Sequence, residues 1–147
     1  GTMGYGLPAA IGAQLGLPEK PVILFTGDGS IMMNCQEMAT AANNDIPVKI
    51  IVMNNQVLGM VNQWQRMFYE ERYSHTCLKG HTDFVKLAEA MGVKGLRITK
   101  PSELTAILEE ALRTPGPVLV DICLPCGEDV LPMVPTNCRL DQMVLGG

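Results

Sequence analysis

Asp28 and Asn55 are the two side chains whose types and spacing point to shared chemistry, for each follows an apolar run and they stand 27 positions apart. A carboxylate and an amide oxygen are both hard donors. Mg²⁺ takes such oxygens in an octahedral array, accepts only one or two carboxylates, and completes its shell with phosphate oxygens and water. Gly27 and Gly29 flank Asp28 without side chains, and Ser30 follows at an expected helix start, where unpaired backbone N–H groups favour an anion. Gly-Asp-Gly alone is an ordinary turn, and Asn54-Asn55 alone an ordinary strand exit. At the ends of two successive strands, the pair indicates a cation shared with a phosphate group.

The elements that must position these residues are legible around them. Val22 to Thr26 and Val48 to Met53 are continuous apolar and β-branched runs, as strands buried on both faces should be. If the two strands are neighbours in a parallel sheet, their tips lie roughly 4.8 Å apart on one edge, close enough to share a cation. Leu7 to Gly16 reads as a short helix with Pro8 near its start, and Ser30 is placed to cap a second helix running through Met38 and Ala42. Val61, Trp64 and Phe68 recur at helical spacing, predicting an amphipathic helix from Leu58 to about Arg72. A loop is expected over 73–82, then a helix marked by Phe84, Leu87, Ala88 and Met91, a strand over 93–98, a helix over 101–113 and a last strand over 118–124. The alternation predicts an α/β fold with a mostly parallel sheet and helices on both faces. Residues 1–124 would form that domain, and the proline-rich residues 125–147 a tail covering it.

The chain has 147 residues and a formal charge of −4, with no basic run, which argues against nucleic acid or an anionic membrane surface as partner. No apolar stretch approaches the roughly 20 residues that span a bilayer. Five cysteines make an odd number, which suits reduced thiols better than a disulfide framework. Cys123 and Cys126 form a lone CxxC at a strand end, without the organised ligand spacing of a zinc site. His75 and His81 lie in the expected loop with no adjacent carboxylate, so a loop-ordering or surface role is the plainer reading. No GxGxxG and no GxxxxGK[ST] occurs, which weakens any nicotinamide or nucleoside-triphosphate reading. Gly1 opens in the middle of what looks like a motif, so a piece of a longer protein is expected.

Gly27-Asp28-Gly29-Ser30 with Asn54-Asn55 resembles the thiamine-diphosphate signature of the decarboxylase-like enzymes. The run from Leu58-Gly59-Met60 through Trp64 to His75-Thr76, and the closing Glu128 to Pro135, resemble the acetohydroxyacid (acetolactate) synthase family in particular. The resemblance implies thiamine diphosphate held through Mg²⁺ by the side chains of Asp28 and Asn55 and the carbonyl of Val57. It further implies cofactor contacts from Gly1, Met3, Gly27, Gly29, Ser30, Leu58, Gly59 and Met60. Met3 would be the wedge that bends the cofactor, the Gly1 carbonyl would face its aminopyrimidine, and Met60 and Trp64 would line the substrate channel.

For the whole enzyme the resemblance implies decarboxylation of pyruvate and condensation with pyruvate or 2-oxobutyrate, in branched-chain amino-acid biosynthesis. It also implies FAD held mainly outside this chain, a homodimer or homotetramer, a regulatory small subunit, and bacterial cytoplasm or a plastid as location. The glutamate that protonates the aminopyrimidine belongs to another domain, so no catalytic residue is assigned here and the isolated chain is expected to be inactive. Two rivals stand beside this reading. One is another thiamine-diphosphate carboligase or decarboxylase; the other is a noncatalytic α/β binding or assembly module recruiting a partner through the Trp64 face.

Overall fold

In a computed structural model, which describes residues 1–78 and 82–146, four parallel strands form one sheet in the order β1-β2-β4-β3. They are β1 (Ile23–Gly27), β2 (Lys49–Asn54), β3 (Lys94–Ile98) and β4 (Val118–Cys123). The helices are α1 (Gly6–Gly16), α2 (Asp28–Ile31), α3 (Glu37–Asn43), α4 (Gly59–Phe68), α5 (Phe84–Ala90) and α6 (Leu104–Arg113). Right-handed crossovers explain where they lie. The steps β1 to β2 and β2 to β3 run the same way across the sheet, and α3 and α5 cover one face with α1. The step β3 to β4 runs back, and α6 covers the other.

Alternation along the strands divides the core accordingly. Ile50 and Val52 of β2 and Leu119 of β4 pack with Ile11, Met38, Ala41, Phe84 and Ala88. Ile51, Val118, Val120 and Ile98 pack with Ala111 and Ile107 of α6. The expected α/β fold with a parallel sheet and helices on both faces is therefore what the chain forms, and β1 and β2 are neighbours, with Thr26 beside Val52 and Gly27 beside Met53.

At the opposite edge of the sheet from Asp28, the buried Lys49 donates from Nζ to the carbonyls of Thr114 and Gly116, both at 2.7 Å, tying β2 to the loop before β4. Burial lowers its pKa. Lys49→Met is expected to leave both acceptors without that donor and to cost about 1–3 kcal/mol of stability, read as a lower urea midpoint.

Three expectations are corrected. The helix foreseen from Ser30 through Ala42 is two helices, with a turn over residues 32–36, and Ser30 lies inside α2 instead of capping it. This turn grips the segment before α1: Ser30 Oγ accepts from the Gly4 N–H at 3.0 Å, and Asn34 Nδ2 donates to the Gly4 carbonyl at 2.6 Å. The helix foreseen as far as Arg72 ends at Phe68, with Glu70 and Glu71 at φ of 54° and 58°. That turn brings the chain back alongside α4, where the Gln65 amide pairs with both the N–H and the carbonyl of Ser74. The 101–113 segment starts as a 3₁₀ turn, Pro101–Glu103, before α6.

Candidate cofactor site

The carboxyl ends of β1 and β2 set the site's floor. Asp28 is 5 % exposed, and its two oxygens accept from the Gly29 N–H at 2.8 Å and the Gln56 N–H at 2.7 Å. Gln56 reaches that position with φ of +58°, a left-handed turn just past the tip of β2. The turn is held in place from outside, because Leu58 N donates to the Thr76 carbonyl and Leu78 N to the Gln56 carbonyl, both at 2.8 Å. Two short strands of loop, 56–58 and 76–78, thus close against each other beside Asp28.

Burial raises the Asp28 pKa, against the lowering effect of the Gly29 and Gln56 hydrogen bonds. Among the described residues the carboxylate has no cationic side chain in ion-pair contact. A buried, hydrogen-bonded carboxylate without a counter-charge fits a bound divalent cation, which would supply the missing charge in the manner Mg²⁺ requires. The Asn55 Oδ1 accepts from the Val57 N–H at 3.2 Å, so its amide is turned into the tip loop, and it does not line the cavity. Gly59 stands close enough that an added Cβ would lie 3.3 Å from Asn55 Nδ2.

Beside Asp28 opens a cavity of about 600 Å³. One wall is apolar, formed by Met3, Met32, Met33, Leu58 and Leu78. Leu58, Leu78 and Met3 converge on Gly29, where an added Cβ would stand 2.7 Å from Leu58 Cδ2 and 3.4 Å from Met3 Cε, so the missing side chain is what lets these three close in. The other wall is polar: Asn54, Asp83, Arg97 and Asp121, with the Cys123 thiol beside them. Burial pushes that thiol's pKa up.

Of the residues singled out from the sequence, the structure brings Met3, Asp28, Gly29 and Leu58 to one cavity, with Gln56 between them. Gly27 is the last residue of β1, and Gly1 is exposed. Ser30 supports the Met3 segment through Gly4. Met60 and Trp64 lie outside this cavity, and Trp64 lines a separate groove with Val61, Gln65, Tyr69 and Arg72. The apolar stripe of α4 is exposed, and the helix buries the polar Gln63 instead. The reason is that α4 carries the C-terminal tail: Gln63 pairs with both the N–H and the carbonyl of Val130, at 2.9 and 3.2 Å, and Arg66 pairs with Asp129. The tail closes on itself through paired hydrogen bonds between Met133 and Val144. His75 is exposed, its ring against Ser74 Oγ; His81 lies outside the described residues. Cys123 and Cys126 are free thiols. Among the described residues no helix is long and apolar enough to cross a membrane.

Gln56, Arg97, Asp83 and Asp121 were not singled out from the sequence, and Asn54 entered only as part of the Asn54-Asn55 motif, with no role of its own. One signal was present: Asp121 interrupts the otherwise apolar run 118–123, and a charge there must find a buried partner.

Comparison with known proteins agrees with this geometry. Residues 1–122 match the family described as thiamine pyrophosphate enzyme, C-terminal TPP binding domain. The mitochondrial acetolactate synthase catalytic subunit of Saccharomyces cerevisiae is 52 % identical over 144 residues, covering 98 % of this chain and 21 % of the relative. The large subunit of acetolactate synthase isozyme 2 of Escherichia coli is 44 % identical over 144 residues, covering 98 % of this chain and 26 % of the relative. This chain therefore spans about a fifth to a quarter of the length of such relatives. Among solved structures, a thiamine diphosphate-dependent 4-hydroxybenzoylformate decarboxylase of Rhodococcus jostii superposes with a TM-score of 0.80 at 34 % identity, over 86 % of this chain and 24 % of that one. A parallel sheet with a buried carboxylate at its carboxyl edge, and a family match over nearly the whole of that sheet, lead to one conclusion: the chain belongs to the family of C-terminal, thiamine pyrophosphate-binding domains of thiamine pyrophosphate enzymes.

Proposed function

We propose that this domain holds the diphosphate end of thiamine diphosphate through Mg²⁺, and that the enzyme it belongs to is an acetolactate synthase. That enzyme would decarboxylate pyruvate and condense the product with pyruvate or 2-oxobutyrate, supplying branched-chain amino-acid synthesis. The observation that carries the reading is the extent of likeness: identity of 44–52 % runs over 98 % of the chain, including the tail beyond the family match.

When bound, the cofactor would supply a nucleophilic thiazolium carbon that attacks the keto carbon and a cationic ring that takes up the electron pair left by decarboxylation. The chain's own residues do the holding. Asp28 would offer a desolvated carboxylate to the metal, and the other protein ligands would be the Val57 carbonyl and the Asn55 amide oxygen, whose second lone pair is not used by the Val57 N–H. The Gly29 and Gln56 N–H groups keep that carboxylate from rotating. Gly27, Gly29 and Ser30 would lie beside the diphosphate, and Gly1, Gly59 and Met60 beside the remainder of the cofactor. Met3, with Leu58 and Leu78, would offer the cofactor an apolar surface and keep water from it. Met60 and Trp64 would face the incoming second substrate from the exposed side of α4. FAD, the protonating glutamate, the partner protomer of a homodimer or homotetramer, and a regulatory small subunit would belong to the rest of the assembly.

The test is product analysis. Full-length enzyme given pyruvate should form acetolactate, and with added 2-oxobutyrate also 2-aceto-2-hydroxybutyrate, while the 147-residue chain alone forms neither. Acetaldehyde as sole product would move the protein to the decarboxylases, in line with its structural neighbour, and acetolactate made by the chain alone would contradict the half-site reading.

A further inference from the structure

The polar wall of the cavity is one continuous network. Asp121, 1 % exposed, accepts from Asn54 Nδ2 at 2.9 Å with one oxygen and from Arg97 Nε at 3.0 Å with the other. Arg97 also pairs through its terminal nitrogen with Asp83, and Asp83 caps α5 by accepting from the Lys86 N–H at 3.3 Å. The register makes this geometry necessary. Asp121 stands beside Val52 of β2 and Arg97 of β3, and all three point to the face that α5 covers. Asn54, two residues beyond Val52, shares that face, and its carbonyl accepts from the Leu124 N–H at 2.8 Å.

An ion pair with Asp121 buried and Arg97 exposed contributes little net stability, because desolvation of the carboxylate and solvent screening of the guanidinium offset the attraction. Its value lies in fixing one arrangement. What it fixes here is the last residue of β2, immediately before Asn55 and Gln56. Asn54 is thus held by its side chain and its backbone from β4, and the next two residues supply a candidate metal ligand and the N–H that orients Asp28.

We infer that Asp121, braced by Arg97 and Asp83, is a positioning residue that sets the tip of β2 for cation binding, without itself touching the cation. This rests on the metal and cofactor reading above. Groups one step removed from a metal typically change its affinity by about 10–100-fold when removed.

The experiment is titration of Mg²⁺ into full-length enzyme with saturating thiamine diphosphate, following cofactor binding by calorimetry, for the unmutated protein, Asp121→Asn, Asp121→Leu and Arg97→Met. Asp121→Leu should raise the Mg²⁺ concentration at half-saturation by about tenfold or more. Asp121→Asn, which keeps the shape and one acceptor, should recover part of that shift, and Arg97→Met should produce a smaller shift in the same direction. If Asp121→Leu does not fold, the other two variants decide by the same criterion. A lowered melting temperature with unmoved Mg²⁺ half-saturation in the folded variants overturns the inference, since a merely structural role gives that result. Absence of Mg²⁺-dependent binding in the unmutated enzyme would instead overturn the cofactor reading beneath it, so the two failures are told apart.

Discussion

Asp28→Ala in the full-length enzyme is expected to abolish Mg²⁺-dependent binding of thiamine diphosphate, with the apparent Mg²⁺ affinity falling by more than about 100-fold, beyond the range typical of groups one step removed from a metal. The carboxylate is buried, without an ion-pair partner among the described residues, and held by two backbone N–H groups, so alanine would remove the one anionic ligand proposed for the cation and leave the Gly29 and Gln56 donors facing the gap. Calorimetric titration of the cofactor with and without Mg²⁺ is the measurement. Binding that persists unchanged would make the two strand tips ordinary turns. The same titration has a pH signature. Because burial raises the Asp28 pKa, the metal-free site holds its proton to higher pH than an exposed aspartate would. Metal and proton compete for the carboxylate, so Mg²⁺ affinity should be full above that raised pKa and fall on acidification through it, by about tenfold per pH unit below it. A decline beginning only in the ordinary aspartate range would show that burial does not govern the site.

Gly95→Ala should be the most damaging single-methyl change in the domain. A Cβ at Gly95 would lie 2.8 Å from the Val85 carbonyl oxygen and 2.9 Å from its Cα, both backbone atoms of α5, and neither can swing aside as a side-chain tip can. To admit it, α5 must move off β3. Overpacking of this kind costs about 1–3 kcal/mol, and more when backbone has to shift. The consequence reaches the site, because α5 begins next to Asp83, which braces Arg97 and through it Asp121. The expected result is a clear fall in melting temperature together with weaker Mg²⁺-dependent cofactor binding. By contrast, Gly12→Ala, where an added Cβ meets nothing within 4 Å, should be neutral or mildly stabilising and serves as the control. Equal melting temperatures for the two variants would mean that the close approach of α5 relaxes freely.

The sequence alone determined the strands and most helices, because apolar runs of five or six residues ending in Gly, Asp or Asn have few other ways to bury both faces. It also determined that Asp28 and Asn55 stand at strand ends, and the family likeness added which cofactor such ends hold. Pairing of β1 with β2 was conditional until the sheet order was seen, since periodicity along one segment carries no information about its neighbours. Local signals misled where a side chain serves a distant segment. Ser30 has the right type for a helix cap, yet its hydroxyl accepts from Gly4, 26 positions away. Val61, Trp64 and Phe68 have the right spacing for a core-facing stripe, yet α4 turns Gln63 inward because Val130 offers it two backbone partners, 67 positions on. The network of the polar wall was the largest omission: Asp83, Arg97 and Asp121 went unremarked and Asn54 was only part of a motif, and only the order β2-β4-β3, with α5 laid across β3 at Gly95, brings the four within hydrogen-bonding reach. A charge in an apolar strand announces that a partner exists, and the sheet decides which residue that partner is.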